Sequence, residues 1–183
     1  MTAAETRQKL TALHETVDAR SAEILAALPA PLTCRLGCAD CCVDDLTVFA
    51  IEADLIRHHH AEFLAAAEPH SPGACAFLGP DGGCRIYQQR PYVCRTQGLP
   101  LRWLTEDEAG EVVEMRDICP LNEEPLINEK SGATPIATLD LDQCWELGPY
   151  EGQLASLQAE SQGGFELRRE PLRGLFAGKS TKD

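Results

Sequence analysis

The clearest periodicity in the chain runs from residue 4 to residue 28, where Leu10, Leu13, Val17, Ile24 and Leu28 recur at spacings of 3, 4, 7 and 4. Those steps lay one apolar stripe along a helix, and Pro29 and Pro31 end it. Leu46 to Val48 predicts a short strand, and Phe49 to Ala67 a second helix that Pro69 and the Ser71-Pro72-Gly73 run terminate. From Ala74 to Arg95 the pattern is a hairpin followed by a loop, with strong turn residues from Gly79 to Gly83 returning one arm beside the other. A second hairpin is expected from Leu99 to Leu104 and Glu111 to Met115. Asp140 or Asp142 starts a further helical stretch, Gly148-Pro149 interrupts it, and Leu154 and Leu157 give the continuation an apolar side. The residues from Gly163 onward mix five basic and three acidic side chains with four glycines and no period, which reads as a flexible tail.

These elements predict an α+β protein: a small, irregular, cysteine-rich domain with short hairpins, flanked by an N-terminal helix and a C-terminal helical segment. The expected divisions are an amphipathic helix at 1–33, the cysteine domain at 34–120, a helical extension at 121–162 and the tail at 163–183.

Cysteine placement changes the picture most. Cys34, Cys38, Cys41 and Cys42 fall within nine residues, and Cys75, Cys84, Cys94 and Cys119 follow on turn-rich connections. Thiolates are strong, soft ligands for zinc, copper(I) and iron-sulfur clusters, and the C-x3-C-x2-C-C spacing puts at least three sulfurs within reach of one centre. The next four supply enough ligands for a second. In an extended chain neighbouring side chains point to opposite sides, so Cys41 and Cys42 are expected to face different centres. Two zinc ions with four thiolates each would use all eight ligands and leave no open position, the mark of a structural site. One iron-sulfur cluster plus one zinc uses the same count, and spacing does not choose between them.

A disulfide framework is the competing reading, and the expected compartment opposes it. The first twenty residues are polar and charged and do not read as an export signal, so a cytoplasmic, reducing setting is expected. The cysteine content, 9 of 183, lies below the roughly 8–10% of disulfide scaffolds. No apolar run approaches membrane-spanning length. A formal net charge of -13 argues against a nucleic-acid or anionic-membrane surface, both of which need clustered positive charge, and suits a protein partner or cationic ligand better. No small-molecule substrate is indicated.

Three tempting features carry less. His58, His59 and His60 are consecutive on a predicted helix, about 100° apart, and cannot converge on one ion without unwinding it. Cys144, beside Trp145, sits at a helical apolar position and reads as a small core residue. The Gly174 to Ser180 run has three residues between its glycines where a phosphate-binding loop needs four, so it is set aside. The arginines are more telling. Arg35, Arg85 and Arg95 each follow an expected ligand, and Arg90 precedes Pro91, while no lysine occurs between Lys9 and Lys130. Arg90, with Arg85 or Arg95 assisting, is therefore the expected donor behind a thiolate-bound cofactor, since a guanidinium can reach sulfur and a carbonyl together.

The succession C-x3-C-x2-CC, a further cysteine, G-C-R-I-Y-x-x-R-P-x-x-C-R and a final C-P resembles the YkgJ-type cysteine-cluster family of zinc- or iron-chelating domains, over residues 34 to 120. That resemblance implies that the family's eight cysteines are Cys34, Cys38, Cys41, Cys42, Cys75, Cys84, Cys94 and Cys119, leaving Cys144 without a counterpart. It implies zinc or iron, or an iron-sulfur cluster with a redox or electron-transfer role. A related domain occurs in flagellin lysine N-methylases, though this chain is too short for a methylase-like activity to follow, and catalytic residues stay unassigned. Radical S-adenosylmethionine enzymes share C-x3-C-x2-C, but only about 140 residues follow Cys42 and they lack alternating strands and helices.

Overall fold

The computed structural model describes residues 1–35, 37–123, 127–128, 132–133, 136–164 and 166–176. It is a mixed helix and sheet structure whose elements run α1 (Ala3–Ala27), β1 (Thr47–Phe49), α2 (Ala50–Ala66), α3 (Tyr92–Arg95), β2 (Leu101–Glu106), β3 (Val112–Asp117), α4 (Pro120–Glu123), β4 (Ile127–Asn128), β5 (Gly132–Ala133), β6 (Trp145–Glu146), α5 (Pro149–Gln162) and β7 (Arg169–Pro171). The predicted long helices and the second hairpin are all present. Among the described residues no helix is long and apolar enough to cross a membrane.

The chain forms two compact units, each assembled from separated segments. The first comprises Met1–His14, Leu36–Cys94 and Gln153–Asp183. Its strands β1 and β7 pair antiparallel, with Val48 opposite Glu170, and its core gathers Val48, Ala53, Ile56 and Leu64 with Phe77, Ile86, Leu172, Leu175 and Phe176. Phe63, Phe77 and Phe176 meet with ring centroids 4.9 to 6.4 Å apart. Three of the chain's few aromatics thus meet in one cluster, where edge and offset ring contacts add to the area buried.

Part of the expected flexible tail belongs to that core. Arg169–Pro171 is a strand, and the single helical turn at Leu172–Leu175 buries Leu172, Leu175 and Phe176. Their apolar side chains are spaced for a turn of 3₁₀ helix, a pattern too short to register as a period. Residues 177–183 of the expected tail lie outside the described residues.

Arg57 and Arg168 each donate to a different oxygen of Glu170. The Arg57 bond is the leading reason that the Glu170 carboxyl titrates below its ordinary 4.5. A depressed carboxyl pKa contributes stability that is present above the unfolded value and disappears as pH falls through the folded value. The stability difference between wild type and Glu170→Gln is therefore expected to hold constant from about pH 7 to about pH 5 and to shrink in more acid solution. Urea unfolding across that range checks it, and a difference that persists undiminished at about pH 3 contradicts it.

The second unit comprises Glu15–Arg35 and Arg95–Gly152. The hairpin β2–β3 pairs Trp103 with Met115, and β6 joins β2 in parallel, with Trp145 opposite Leu101. Trp145 is fully buried and stacks on Tyr150 at 4.8 Å. Cys144 is buried against Ile118 and Leu139, as a core side chain would be. The predicted helix at Asp140 is one 3₁₀ turn, Leu141–Gln143, whose start is tied by the Asp140 N–H donating to Gln143 Oε1 at 2.9 Å. A strand follows it, and α5 begins at Pro149, where a missing N–H costs a helix nothing.

Candidate metal centre

Six of the eight expected ligands, Cys38, Cys41, Cys42, Cys75, Cys84 and Cys94, fall in the first unit, and Cys34 and Cys119 in the second. All nine cysteines, each among the described residues, are free thiols.

In the first unit, local turns and backbone ties set the sulfurs. The Cys42 N–H donates to the Ala39 carbonyl at 2.8 Å, closing a turn over Cys41. The Cys75 N–H donates to the Cys42 carbonyl, also at 2.8 Å, and so fastens the first cysteine group to the second. The Gly79–Gly83 turn is closed by the Gly79 N–H on the Gly83 carbonyl at 2.8 Å, and Leu78 bridges antiparallel to Cys84. At the tip of this turn Gly82, with φ +75°, backs against Gly37, and a Cβ built on Gly82 would stand 3.0 Å from the Gly37 Cα. A side chain there would push the two cysteine-bearing loops apart.

Cys75 and Cys84 share a local device. Each sulfur accepts a hydrogen bond from the backbone N–H two residues later, from Phe77 and from Ile86. An N–H aimed at sulfur favours the thiolate and orients it, which is what a metal ligand needs. Burial works against it, pushing both thiols up from their ordinary range. Burial also drives Cys94 up to about 12, with the negative charges of Cys75, Cys84, Cys41 and Glu52 adding to the effect. Cys42 is raised chiefly by its hydrogen bond to Cys41, then by burial and by the charges of Cys41, Cys75 and Cys84, while Cys41 is lowered by that same bond. Cys42 and Cys94 thus each lie within electrostatic reach of Cys41, Cys75 and Cys84. Among the described residues no three histidine, cysteine, aspartate or glutamate side chains stand in finished ligating geometry.

Cys41 lies in a turn, where the strict alternation of extended backbone does not apply, and its side chain interacts with that of Cys42.

Arg90 lies near enough to Cys84 to favour its thiolate, stacks on the Tyr87 ring at 4.1 Å and donates to the Tyr87 carbonyl at 3.2 Å. Arg85 favours the thiolates of both Cys75 and Cys84 and donates to the Ala76 carbonyl at 2.6 Å and the Glu68 carbonyl at 2.9 Å. Arg95 is in the second unit, buried and paired with Asp18. His58 and His59 are exposed, and His60 Nε2 bonds Gln89 Oε1 at 2.9 Å, so the histidine run holds no site.

Sequence reasoning missed two residues of the first unit. Arg173 grips Asp44 through both carboxylate oxygens, at 2.8 and 2.9 Å, and donates to the His70 and Ala74 carbonyls at 2.6 and 2.8 Å. It thereby ties the loop after Cys42 to the loop before Cys75. Glu52 is buried on α2 and accepts the Tyr92 N–H at 2.7 Å, which anchors the start of α3 and hence Cys94. His14 Nε2 lies 3.5 Å from that same carboxylate. The one signal for Glu52 was its place in the first turn of a predicted helix, where acids are common.

In the second unit Cys34 and Cys119 are linked through Asn122. The Asn122 side chain donates to the Cys34 sulfur at 3.2 Å, and its backbone N–H to the Cys119 carbonyl at 2.8 Å.

Irregular backbone bearing clustered thiols, with amides aimed at sulfur and guanidinium groups nearby, is an arrangement that suits thiolate metal ligation. Residues 33–120 match the family model CxxCxxCC, described as "putative zinc- or iron-chelating domain". No curated protein and no solved structure matches the chain.

Proposed function

We propose that this chain chelates zinc or iron in a reducing, cytoplasmic setting, with Cys38, Cys41, Cys42, Cys75, Cys84 and Cys94 as the ligands of the first unit and Cys34 and Cys119 as those of the second. The observation that carries the reading is the gathering of five sulfurs, two of them each accepting a backbone N–H from the residue two positions on. Such a donor set fits a soft, thiophilic cation, which would relieve the repulsion among thiolates that burial now disfavours. A mononuclear tetrahedral ion takes four thiolates, so eight ligands fit two centres. Arg90 and Arg85 offset the negative charge of the thiolates from outside. Zinc would supply a structural cross-link, and an iron-sulfur cluster would add electron transfer.

Metal analysis and a visible spectrum of the full chain purified without air test this reading. About two metal equivalents per chain are expected, colourless for zinc and brown for iron-sulfur. Cys84→Ser is expected to lower that content, since an alcohol does not deprotonate to a comparable ligand, and Cys144→Ser to leave it unchanged. A chain free of both metals, or equal losses in the two variants, would overturn the assignment.

A further inference from the structure

Among the described residues of the second unit, Asn122 is a fully buried side chain whose polar atoms point at one expected ligand. Its Oδ1 accepts the Thr33 N–H at 2.8 Å, and its Nδ2 donates to the Gly98 carbonyl at 2.9 Å and to the Cys34 sulfur at 3.2 Å. This orientation is forced. Turning the amide over would set an oxygen against the Gly98 carbonyl and an NH2 against the Thr33 N–H, two like-with-like contacts in a dry site. The carboxamide must therefore present an N–H to Cys34.

Space around that sulfur is equally restricted. Gly98 has φ +86°, and a Cβ there would lie 2.4 Å from the Cys34 sulfur and 3.3 Å from Asn122 Nδ2. Any larger residue would displace the sulfur or its donor. Cys34 itself is exposed, so the protein holds its sulfur from one side and leaves the other open. A residue with only a packing role would not need its amide aimed at sulfur, nor a glycine cleared against it. The backbone N–H of Asn122 also bonds the Cys119 carbonyl, so the same residue fixes the turn that carries the second expected ligand of this unit.

We propose that Asn122 is the positioning residue for Cys34 as a metal ligand, donating to its thiolate and fixing its direction, with Gly98 providing the clearance. This rests on the metal-chelating reading above. A donor to a bound thiolate draws electron density from sulfur and restrains its motion, and loss of such partners typically costs about 10- to 100-fold in metal affinity.

The test uses the full chain loaded with cobalt(II) and, separately, with cadmium-113. Asn122→Asp keeps the shape and the acceptor oxygen but removes the donor. It is expected to release cobalt to a competing chelator about 10- to 100-fold faster than wild type and to shift the sulfur-to-cobalt charge-transfer band, and Cys34→Ser is expected to weaken that band. In wild type loaded with cadmium, a scalar coupling across the N–H···S bond should link the Asn122 side-chain amide proton to cadmium, a readout that needs no variant to fold. If Cys34→Ser alters the cobalt band while Asn122→Asp matches wild type in band and release rate, the role of Asn122 is wrong and the chelating reading stands. Absence of the amide-to-cadmium coupling overturns the proposal in the same way. If Cys34→Ser leaves the cobalt spectrum and metal content untouched, Cys34 is not a ligand, and both its place in the ligand set and the inference fall.

Discussion

Stripping metal from the full chain with a strong chelator under reducing conditions is expected to abolish amide protection from about residue 70 to residue 94, while the middle of α1 stays protected. The reason lies in how little regular structure holds that stretch. Its backbone bonds are mostly turn closures, with one 3₁₀ turn at Tyr87–Gln89 and the four residues of α3. Cys75, Cys84 and Cys94 all lie in it, so on the proposed reading metal ligation takes the place of a ladder. Structural zinc in small domains contributes roughly 10–16 kcal/mol of apparent binding free energy, and that free energy is folding free energy where no site exists in the unfolded chain. The apolar cluster of Phe63, Phe77 and Phe176 opposes complete unfolding, which is why the loss should be regional. Hydrogen exchange followed by mass spectrometry reads the effect directly. Unchanged exchange across residues 34 to 119 after metal removal would mean that the thiolates do not hold this region.

Arg173→Met should be strongly damaging for a substitution away from the apolar core, lowering stability by about 2–4 kcal/mol. Methionine keeps the aliphatic stem but removes the guanidinium. Two carboxylate contacts and the bonds to the His70 and Ala74 carbonyls are lost together, and Asp44 keeps a charge without its partner. Both side chains are mostly covered, at 25% and 16% exposure, so water replaces the lost bonds only in part. Lys9→Met is the fitting control, because its pair with Glu160 is exposed on both sides and such pairs contribute about 1 kcal/mol or less. Urea midpoints of the metal-loaded proteins check the contrast. Equal, small shifts in the two variants would show that the loops around Cys42 and Cys75 are held by other means.

How far these features were legible in the sequence depends on how local their causes are. The stripe from Leu10 to Leu28 and the helix from Ala50 to Ala66 follow from side chains within a few turns of one another. The second hairpin was equally visible, since its turn and both arms are contiguous. The strand Arg169–Pro171 was not, because its partner, Thr47–Phe49, lies more than a hundred residues earlier and the strand is three residues long. Arg173 was hidden with it. Asn122 looked like any polar residue after Cys119-Pro120, and its role depends on Thr33, Cys34 and Gly98 arriving from distant segments. The cysteine spacing marked the stretch that the chelating-domain model matches, whereas the turn that the Cys42 N–H closes on the Ala39 carbonyl is not encoded in that spacing.

The pairing of β1 with β7 also sets an order of events during synthesis. Every cysteine is polymerised before Arg169, and roughly 75 residues separate Cys94 from that strand. At about 5–20 residues per second, the ribosome takes roughly 4–15 s to cover that distance. For that interval the thiols of the first unit are all present but lack Leu172, Leu175 and Phe176, the side chains that finish the core in which Cys75 is buried and against which Cys42 and Cys84 pack. That core is therefore completed only after every thiol beside it has been made.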